Sequence, residues 1–240
     1  MFAIETKNLT KVYKTGHFWS TKVQKALDDL SLQIPKSQVF GILGLNGAGK
    51  TTLMKILLGI IRQTSGVAVV LDMPAGDILT HNKIAYLPEI PYFSKYLTPM
   101  EILNFYAQLF GIPKKNIKQK CEYALETVGL ISRKNSKLKE FSKGMLQRVG
   151  IAQILINDAE LLFLDEPTYG LDPLASKEMR DVILQLKKQG KTLILSSHQI
   201  SEVEKICDNI GILHKGRLIA YSPIIHPLED FFIKKIKENE

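Results

Sequence analysis

The chain has 240 residues and a mass of 27.0 kDa, which suits one large domain or two small ones. Its 45% hydrophobic and 23% charged residues exclude collagen-like, low-complexity and disordered classes of protein. The net charge of +8 leaves three kinds of partner open, namely nucleic acid, an anionic membrane surface and a phosphate-rich ligand.

The sequence shows no pattern of secretion or membrane insertion. Its N-terminus has no basic segment before an apolar stretch, and no apolar run approaches the ~20 residues that span a bilayer. The two cysteines, Cys121 and Cys207, have no CxxC spacing and no companion histidines, which is typical of free thiols. We therefore expect a soluble, cytoplasmic protein.

The first third of the chain has strand patterns with no helix between them, at residues 2–9, about 23–34 and 66–71. These patterns predict a small antiparallel sheet within about 2–38 and 60–75. Three other runs are continuously apolar, which is typical of parallel strands covered on both faces. These runs are Val39–Leu43, Leu161–Leu164 and Thr192–Leu195.

Helical patterns lie between the apolar runs. Residues about 90–158 contain three of them and no convincing strand, which predicts an inserted helical subdomain. Its first helix should begin at the capping box Thr98–Glu101. The residues expected to face inward on that helix are Ile102, Phe105, Tyr106 and Leu109. A further helix should begin at Pro173 and end near Gly190.

Strands that alternate with helices predict an α/β fold. We expect residues 2–226 to form one domain, with the small antiparallel sheet beside its core. Residues 227–240 form a charged tail, in which we expect a short, weakly held amphipathic helix.

The first apolar run leads into Gly44–Thr51, which has the pattern GxxxxGK[ST] between a strand and a helix. Glycines in such a loop let successive backbone N–H groups face phosphate oxygens, and the helix adds its positive N-terminal end. Lys50 can hold the β- and γ-phosphates, and Thr51 can offer its hydroxyl to Mg²⁺. The pattern predicts a P-loop NTPase (RecA-like) core whose ATP-binding residues are Gly44, Leu45, Asn46, Gly47, Ala48, Gly49, Lys50, Thr51 and Thr52.

Two carboxylates, Asp165 and Glu166, end the second apolar run. Neighbouring residues of an extended strand point to opposite sides, so we expect them to have different tasks. Asp165 suits a magnesium ligand, and Glu166 suits a general base for the attacking water. His198 follows the third run and can sense a γ-phosphate, although a histidine there can also be a cap or a surface residue.

Together these residues resemble ABC transporter nucleotide-binding proteins, from about Ile4 to Tyr221. The second motif of that family, commonly LSGGQ, appears here as Phe141–Met145, which we call the signature segment. Lys143 replaces a glycine and Met145 replaces a glutamine, a form that resembles the type-2 ABC exporter branch. The resemblance implies that ATP of a partner subunit is contacted by Ser142, Lys143, Gly144 and Met145.

The signature segment also has a local interpretation. Ser142 predicts the N-cap of a helix. Lys143 would then lie in the first turn, where a cation opposes the helix dipole by ~0.3–1 kcal/mol. A γ-phosphate from another subunit would reverse that effect, and a solvated lysine of little consequence is the alternative.

Three further positions follow from the resemblance. Tyr13 matches an aromatic residue that stacks on adenine, although packing alone would also explain it. Glu89 occupies a position that is usually glutamine, near the attacking water and Mg²⁺, so it joins Glu166 and His198 as a catalytic candidate and Thr51 and Asp165 as a metal ligand. Asp172 matches a loop that crosses the dimer interface, and it can also cap the helix that begins at Pro173.

The resemblance implies an ATPase that uses ATP and Mg²⁺ and works as a head-to-tail dimer of two copies. It also implies a separate membrane permease, which would hold the chain at the inner face of the membrane and favours export. The permease would dock near Glu89, Pro91, Tyr92 and Phe93, unless these aromatics are core residues. The alternative function is a soluble ABC ATPase that acts on nucleic acid or ribosomes. Such relatives usually have two cassettes in one chain or a long coiled-coil insertion, and this sequence shows neither. We therefore expect that nucleic acid is not a partner.

The positive charge is concentrated in one part of the chain. Residues 111–150 contain ten lysines and arginines and three glutamates, so that +7 of the net +8 lies there. ATP phosphates are the anions that best explain this charge, and an anionic inner leaflet is a second possibility. A merely solvated basic face is the alternative.

Overall fold

The structure is a computed structural model that describes residues 1–15 and 22–239. Residues 16–21, within the predicted small sheet, and Glu240 of the predicted tail lie outside the described residues. The strands are β1 (Phe2–Thr15), β2 (Lys22–Pro35), β3 (Val39–Leu43), β4 (Ser65–Val70), β5 (Met73–Pro74), β6 (Ile84–Leu87), β7 (Leu161–Asp165), β8 (Thr192–Ser197), β9 (Asn209–His214) and β10 (Arg217–Pro223). The helices are α1 (Lys50–Leu57), α2 (Pro99–Leu109), α3 (Lys114–Thr127), α4 (Lys143–Leu155), α5 (Pro173–Lys188), α6 (Ile200–Ile206) and α7 (Leu228–Lys237).

The central sheet has six strands in the order β10-β9-β3-β8-β7-β6. All neighbours in it run parallel except β10, which pairs antiparallel with β9. Alternate residues of β3 enter two cores: Val39 and Leu43 pack with helices, whereas Phe40 and Ile42 pack with α1 and the second sheet. Burial on both faces explains the continuous apolar runs, and the predicted parallel strands are confirmed.

The second sheet has four antiparallel strands in the order β2-β1-β4-β5. Its pairings include Tyr13 with Gln24, so β1 extends well beyond the predicted residues 2–9. The predicted small antiparallel sheet is confirmed.

Three strands of the central sheet were not predicted: β6, β9 and β10. Strand β9 has polar residues at both ends, Asn209 and His214, and Gly211 within it, so only three of its six residues carry an apolar side chain. Strand β10 lies at the edge of the sheet and is mostly half-buried or exposed, so its pattern resembles that of a loop. Edge strands have this weak signal because only one side of the strand is paired.

Helices α2, α3 and α4 lie between β6 and β7 in the chain. The capping box at the start of α2 is confirmed, because the Thr98 side chain accepts from the N–H of Glu101 and the Glu101 side chain accepts from the N–H of Thr98. Two of its predicted inward residues are wrong: Phe105 and Leu109 are 55% and 66% exposed. Their places in the core are taken by Leu103 and Ala107, because the buried stripe of the helix is rotated from the predicted one.

The predicted tail helix is present as α7. Leu228, Phe232 and Ile236 are buried in the same core as the helices, and α7 packs against α6. The predicted boundary near residue 227 stays a prediction. Among the helices of the described residues, none combines the length and the apolar character needed to cross a lipid bilayer.

Candidate nucleotide site

Four segments meet at one edge of the central sheet, where the parallel strands have their carboxyl ends. β3 continues into the phosphate loop, β7 ends at Asp165, β8 ends at Ser197, and β6 is followed two residues later by Glu89. Open α/β sheets bind ligands at this edge. A cavity of about 280 Å³ lies there, lined by Tyr13, Gln24, Ala26, Asn46, Gly47, Ala48, Gly49, Lys50, Thr51, Thr52, Glu89, Asp165 and Glu166.

The phosphate loop depends on glycine at specific positions. Gly47 and Gly49 have φ of 80° and 109°, a region that residues with a side chain rarely adopt. Gly44 is needed for a different reason, since a Cβ there would lie 2.5 Å from the carbonyl oxygen of Leu213. The loop can therefore lie against β9 and turn its N–H groups toward the cavity.

Lys50 is buried at the start of α1. Its ammonium donates to the carbonyl oxygens of Gly44 at 2.6 Å and Leu45 at 3.3 Å. Burial lowers the pKa of Lys50, and the nearby charges of Glu166 and Asp165 oppose that shift. The side chain is thus held inside the loop and beside the two carboxylates.

The Asp165 carboxylate is held by two hydroxyl groups from neighbouring strands. It accepts from the Ser196 hydroxyl of β8 and from the Tyr86 hydroxyl of β6, the latter at 3.2 Å. Burial, followed by the charge and hydrogen bond of Asp165, raises the pKa of Tyr86 to about 12. Tyr86 therefore remains a neutral donor, and the carboxylate is fixed at the end of β7.

Glu166 departs from the predicted geometry. Strand β7 ends at Asp165, and Glu166 has a left-handed backbone conformation with a φ of 47°. The N–H of Glu166 donates to the carbonyl oxygen of Ser196 at 3.0 Å. Such a conformation costs of order 1–3 kcal/mol and is common at functional sites. The extended geometry assumed for both residues therefore ends at Asp165, and both carboxylates line the same cavity with different hydrogen-bond partners. The expectation that they have different tasks stays a prediction.

The buried Glu166 carboxylate is paired with His198. Glu166 Oε1 lies 2.7 Å from His198 Nδ1, and Oε2 accepts from the Ser197 hydroxyl at 3.3 Å and the His198 N–H at 3.4 Å. The His198 side chain is 40% exposed. The imidazole is therefore fixed at one nitrogen and open to a ligand elsewhere.

Tyr13 and Glu89, which are 76 residues apart in the sequence, also line the cavity. The Lys11 ammonium lies 5.1 Å from the centre of the Tyr13 ring, a cation–π contact. The carbonyl oxygen of Glu89 accepts from Gln147 Nε2 at 2.6 Å. Sequence reasoning missed Gln147, which is 1% exposed, and a polar residue within the buried stripe of α4 is the signal that could have found it.

The signature segment does not line the cavity. The predicted N-cap is confirmed, since the Ser142 hydroxyl accepts from the N–H of Met145 at 3.3 Å. Ser142 and Lys143 are exposed, whereas Gly144 is buried against α5. A single chain thus keeps these four residues apart from the phosphate loop.

Asp172 has the predicted capping role. Its carboxylate accepts from the N–H of Ala175 at 2.8 Å, and Pro173 occupies the first position of α5. The Asp172 residue itself is exposed. A role at an interface is therefore compatible with the cap.

The oxygen atoms that could hold Mg²⁺ belong to Thr51, Asp165 and Glu89, which all line the cavity. Magnesium binds oxygen, through one or two carboxylates together with phosphate oxygens and water. Within residues 1–15 and 22–239 there is no group of three or more His, Cys, Asp or Glu arranged to hold a metal. One hydroxyl and two carboxylates leave the other coordination positions to phosphate oxygens and water, so the donor set fits a cation that binds together with a nucleotide.

Comparison with known proteins identifies the family. A family model described as ABC transporter matches residues 27–169, more than half of the chain. The chain belongs to the ABC transporter family. The matched segment runs from β2 to the loop after β7, and it includes the phosphate loop, the signature segment and both carboxylates.

Relatives and solved structures agree with this assignment. An ABC transporter ATP-binding protein of Synechocystis is 47% identical over 219 residues, which cover 90% of this chain and 62% of the relative. The bacitracin transport ATP-binding protein of Bacillus licheniformis is 40% identical over 230 residues, which cover 93% and 70%. A structure from Clostridium perfringens, part of an ABC transporter complex, has 27% identity and a TM-score of 0.83, with 99% and 94% covered.

The predicted α/β fold of a P-loop NTPase is therefore confirmed. The chain spans less than two thirds of the length of the Synechocystis relative.

Proposed function

We propose that the protein binds and hydrolyses ATP to energise transport, most simply export, through a separate membrane permease. The observation that carries the proposal is the single cavity in which the phosphate loop, Asp165 and Glu166 meet, with His198 2.7 Å from Glu166. The bacitracin transport relative supports a transport role. The form of the signature segment supports export.

The phosphate loop, the carboxylates and Tyr13 have separate tasks in this proposal. The N–H groups of residues 44–52 bind the phosphates, and Lys50 exchanges the carbonyl oxygens of Gly44 and Leu45 for phosphate oxygens. Thr51, Asp165 and Glu89 would hold Mg²⁺, which neutralises charge on the β- and γ-phosphates when bound. Tyr13, beside the loop, supplies a flat surface for adenine.

Glu166 acts as the general base for the water that attacks the γ-phosphate. As a carboxylate it accepts at Oε1, so we assign the His198 proton to Nδ1 and leave Nε2 as an acceptor. His198 then orients Glu166 through Nδ1 and can accept at Nε2 from a water beside the γ-phosphate.

The active form in this proposal is a head-to-tail dimer of two copies. Ser142 and Lys143 are exposed at the start of α4, and the signature segment lies outside the cavity of its own chain. A second copy would bring Ser142, Lys143, Gly144 and Met145 to the ATP bound by the first. Asp172, in the exposed loop before α5, would lie at that interface.

The permease would dock beside the Glu89 end of the cavity. Ile90, Tyr92 and Tyr96 are 72%, 92% and 80% exposed, which leaves large apolar surfaces in contact with water. The alternative of core packing fits Phe93, which is half-buried against the core, but does not fit Tyr92. Docking would place the protein at the inner face of the membrane.

The basic residues of the helical region give a second, weaker membrane contact. Five of the ten form ion pairs with acidic residues: Lys120, Arg133, Lys134, Lys137 and Arg148. Lys114, Lys115 and Lys118 are exposed and have no ion pair within the described residues. We propose that these three lysines meet the anionic inner leaflet.

The decisive experiment measures Mg²⁺-dependent ATP hydrolysis by the wild type and by Glu166→Gln. We expect the variant to lose at least ~100-fold in kcat and to keep its affinity for ATP, because only the proton acceptor is removed. It should also accumulate as an ATP-bound dimer in size-exclusion chromatography. Hydrolysis by the variant at the wild-type rate would contradict the base assignment, and a variant that stays monomeric with saturating ATP would contradict the dimer.

A further inference from the structure

The loop after β7 contains an aromatic residue, Tyr169, that is tied to the signature segment of its own chain. The Lys143 ammonium donates to the carbonyl oxygen of Tyr169 at 2.6 Å and lies 4.9 Å from the centre of the Tyr169 ring. A charged donor makes the stronger kind of hydrogen bond, and a cation over an aromatic face adds to it. Lys143 is therefore held by its own chain through two interactions.

The backbone around Tyr169 is shaped to accept this lysine. Gly170 has a φ of 67°, and a Cβ at that position would lie 2.6 Å from the Lys143 ammonium. The N–H of Tyr169 donates to the carbonyl oxygen of Glu166 at 3.0 Å. Both ends of the Tyr169 peptide are thus fixed, one to the catalytic candidate and one to the signature segment.

The Tyr169 ring packs on the imidazole of His198. The ring centres lie 5.2 Å apart with an angle of 59° between the planes. The same imidazole lies 2.7 Å from Glu166 Oε1 through Nδ1, so the Tyr169 ring packs on a residue of the proposed catalytic pair. A chain of contacts therefore runs from Lys143 through Tyr169 and His198 to Glu166.

On the basis of the function proposed above, we propose that Tyr169 is a positioning residue for the Glu166–His198 pair and that Lys143 holds Tyr169 in place. Lys143 begins α4, whereas Tyr169 belongs to the loop after β7, so the contact joins two parts of the fold that are separated by 26 residues. A displacement of the start of α4 withdraws the ammonium from Tyr169 and releases His198. The signature segment thereby regulates hydrolysis in its own chain, in addition to any contact with the ATP of a partner.

The test is a set of kinetic measurements on Tyr169→Ala, Lys143→Met and the double variant. We expect each single variant to lower kcat about fivefold, the size of a lost interaction of this kind. In Tyr169→Ala, which leaves the signature segment intact, the KM for ATP and ATP-dependent dimerisation should stay within about twofold of wild type. The double variant should be no slower than Tyr169→Ala, because both changes break the same chain of contacts.

Two variants serve as matched controls. Tyr169→Phe keeps the ring and the carbonyl group, and the lost hydroxyl has no hydrogen bond within the described residues, so its kcat should equal that of the wild type. Lys139→Met removes the same charge from an exposed position just before the signature segment and should also leave kcat unchanged. In a His198→Ala background, Tyr169→Ala should lower kcat no further, since the ring acts through His198.

Three results would overturn the inference while leaving the proposed function standing. They are an unchanged kcat in Tyr169→Ala, a Tyr169→Ala effect that persists without His198, and a Lys143→Met variant with raised KM or impaired dimerisation at unchanged kcat. The last result would assign Lys143 only to the ATP of a partner. A wild-type protein that does not hydrolyse ATP would overturn the proposed function itself, and this inference with it.

Discussion

The two halves of the proposed ATP site differ in how the chain holds them. The phosphate loop lies at the edge of a sheet that is buried on both faces, and Gly44 and Lys50 are themselves buried. The signature segment lies at the exposed start of α4, where a 3.3 Å cap from Ser142 and the contact of Lys143 with Tyr169 hold it. In the proposed dimer, the first half is complete within one chain, whereas the second would contact the ATP of another copy. Substitutions should therefore affect nucleotide binding in the first half and dimerisation in the second.

The largest effect on nucleotide binding is expected from Gly44→Ala. The new Cβ would lie 2.5 Å from the carbonyl oxygen of Leu213 and 2.9 Å from the Cβ of Ala48, so the loop must move away from β9. Overpacking of this kind costs about 1–3 kcal/mol and would displace the N–H groups that bind phosphate. We expect a loss of at least ~10-fold in ATP affinity, measured by titration with a fluorescent ATP analogue, and a lower Tm.

Gly47→Ala is the control for that prediction. A Cβ at this position meets no atom within 4 Å, so only the left-handed backbone, with φ of 80°, opposes the change. Its cost should be ~1 kcal/mol, and the affinity should fall less than in Gly44→Ala. An equal loss in both variants would show that contact with β9 is not what shapes the loop.

The next largest effect is expected from Gly144→Ala, on the exposed half. The new Cβ would lie 2.7 Å from the Cβ of Ala175, so the start of α4 must move away from α5. We expect unchanged ATP affinity of the single chain, but roughly tenfold weaker ATP-dependent dimerisation, measured by analytical ultracentrifugation. The second change Ala175→Gly makes room for the methyl group and should restore dimerisation; a failure to restore it would argue against steric displacement of α4.

A smaller effect is expected from Tyr86→Phe, which removes one of the two hydroxyl groups that hold Asp165. The carboxylate becomes less ordered, so the Mg²⁺ concentration for half-maximal ATP hydrolysis should rise roughly threefold, while ATP binding without Mg²⁺ stays unchanged. Tyr221→Phe is the matched control, since within the described residues its hydroxyl has no hydrogen bond and its ring packs on Phe40. Equal Mg²⁺ dependence of Tyr86→Phe and wild type would separate Tyr86 from the metal site.

The same difference between the halves explains what the sequence could predict. Glycines, Lys50 and Thr51 are neighbours in the chain, and their pattern indicates both the local backbone and its chemistry. The caps at Ser142 and Asp172 are also local and were predicted correctly. Interactions between residues a few positions apart can be predicted because they require particular residue types at a fixed spacing in the sequence.

Contacts between distant residues leave no such spacing. The bond from Gln147 to the carbonyl group of Glu89 joins positions 58 residues apart, and the Lys143–Tyr169 contact joins positions 26 apart. The left-handed conformation of Glu166 depends on its bond to the carbonyl group of Ser196 on β8. Each of these contacts and conformations forms only when the strands and α4 are packed together. The spacing of residues in the sequence therefore does not predict them.

The smallest effect on hydrolysis is expected from the combined change Lys114→Gln, Lys115→Gln and Lys118→Gln. None of these exposed lysines lines the nucleotide cavity, so the kcat of the protein in solution should not change. Binding to vesicles that contain anionic lipid should fall at least ~10-fold, because each basic residue near such a surface contributes up to ~1 kcal/mol. Vesicle co-sedimentation at low and high salt measures this, and high salt should abolish the difference.

The matched control is the triple variant Lys7→Gln, Lys55→Gln and Lys188→Gln. These lysines are exposed, lie outside residues 111–150 and have no ion pair within the described residues. It removes the same net charge, so a general attraction between a basic protein and an anionic surface would weaken equally in both triple variants. A local contact through α3 predicts that only the first variant loses vesicle binding. Equal losses of vesicle binding in both variants would show that the net charge of the whole chain, and not α3, attracts the membrane. A lower kcat of the first variant in solution would link α3 to the ATP site instead of the membrane.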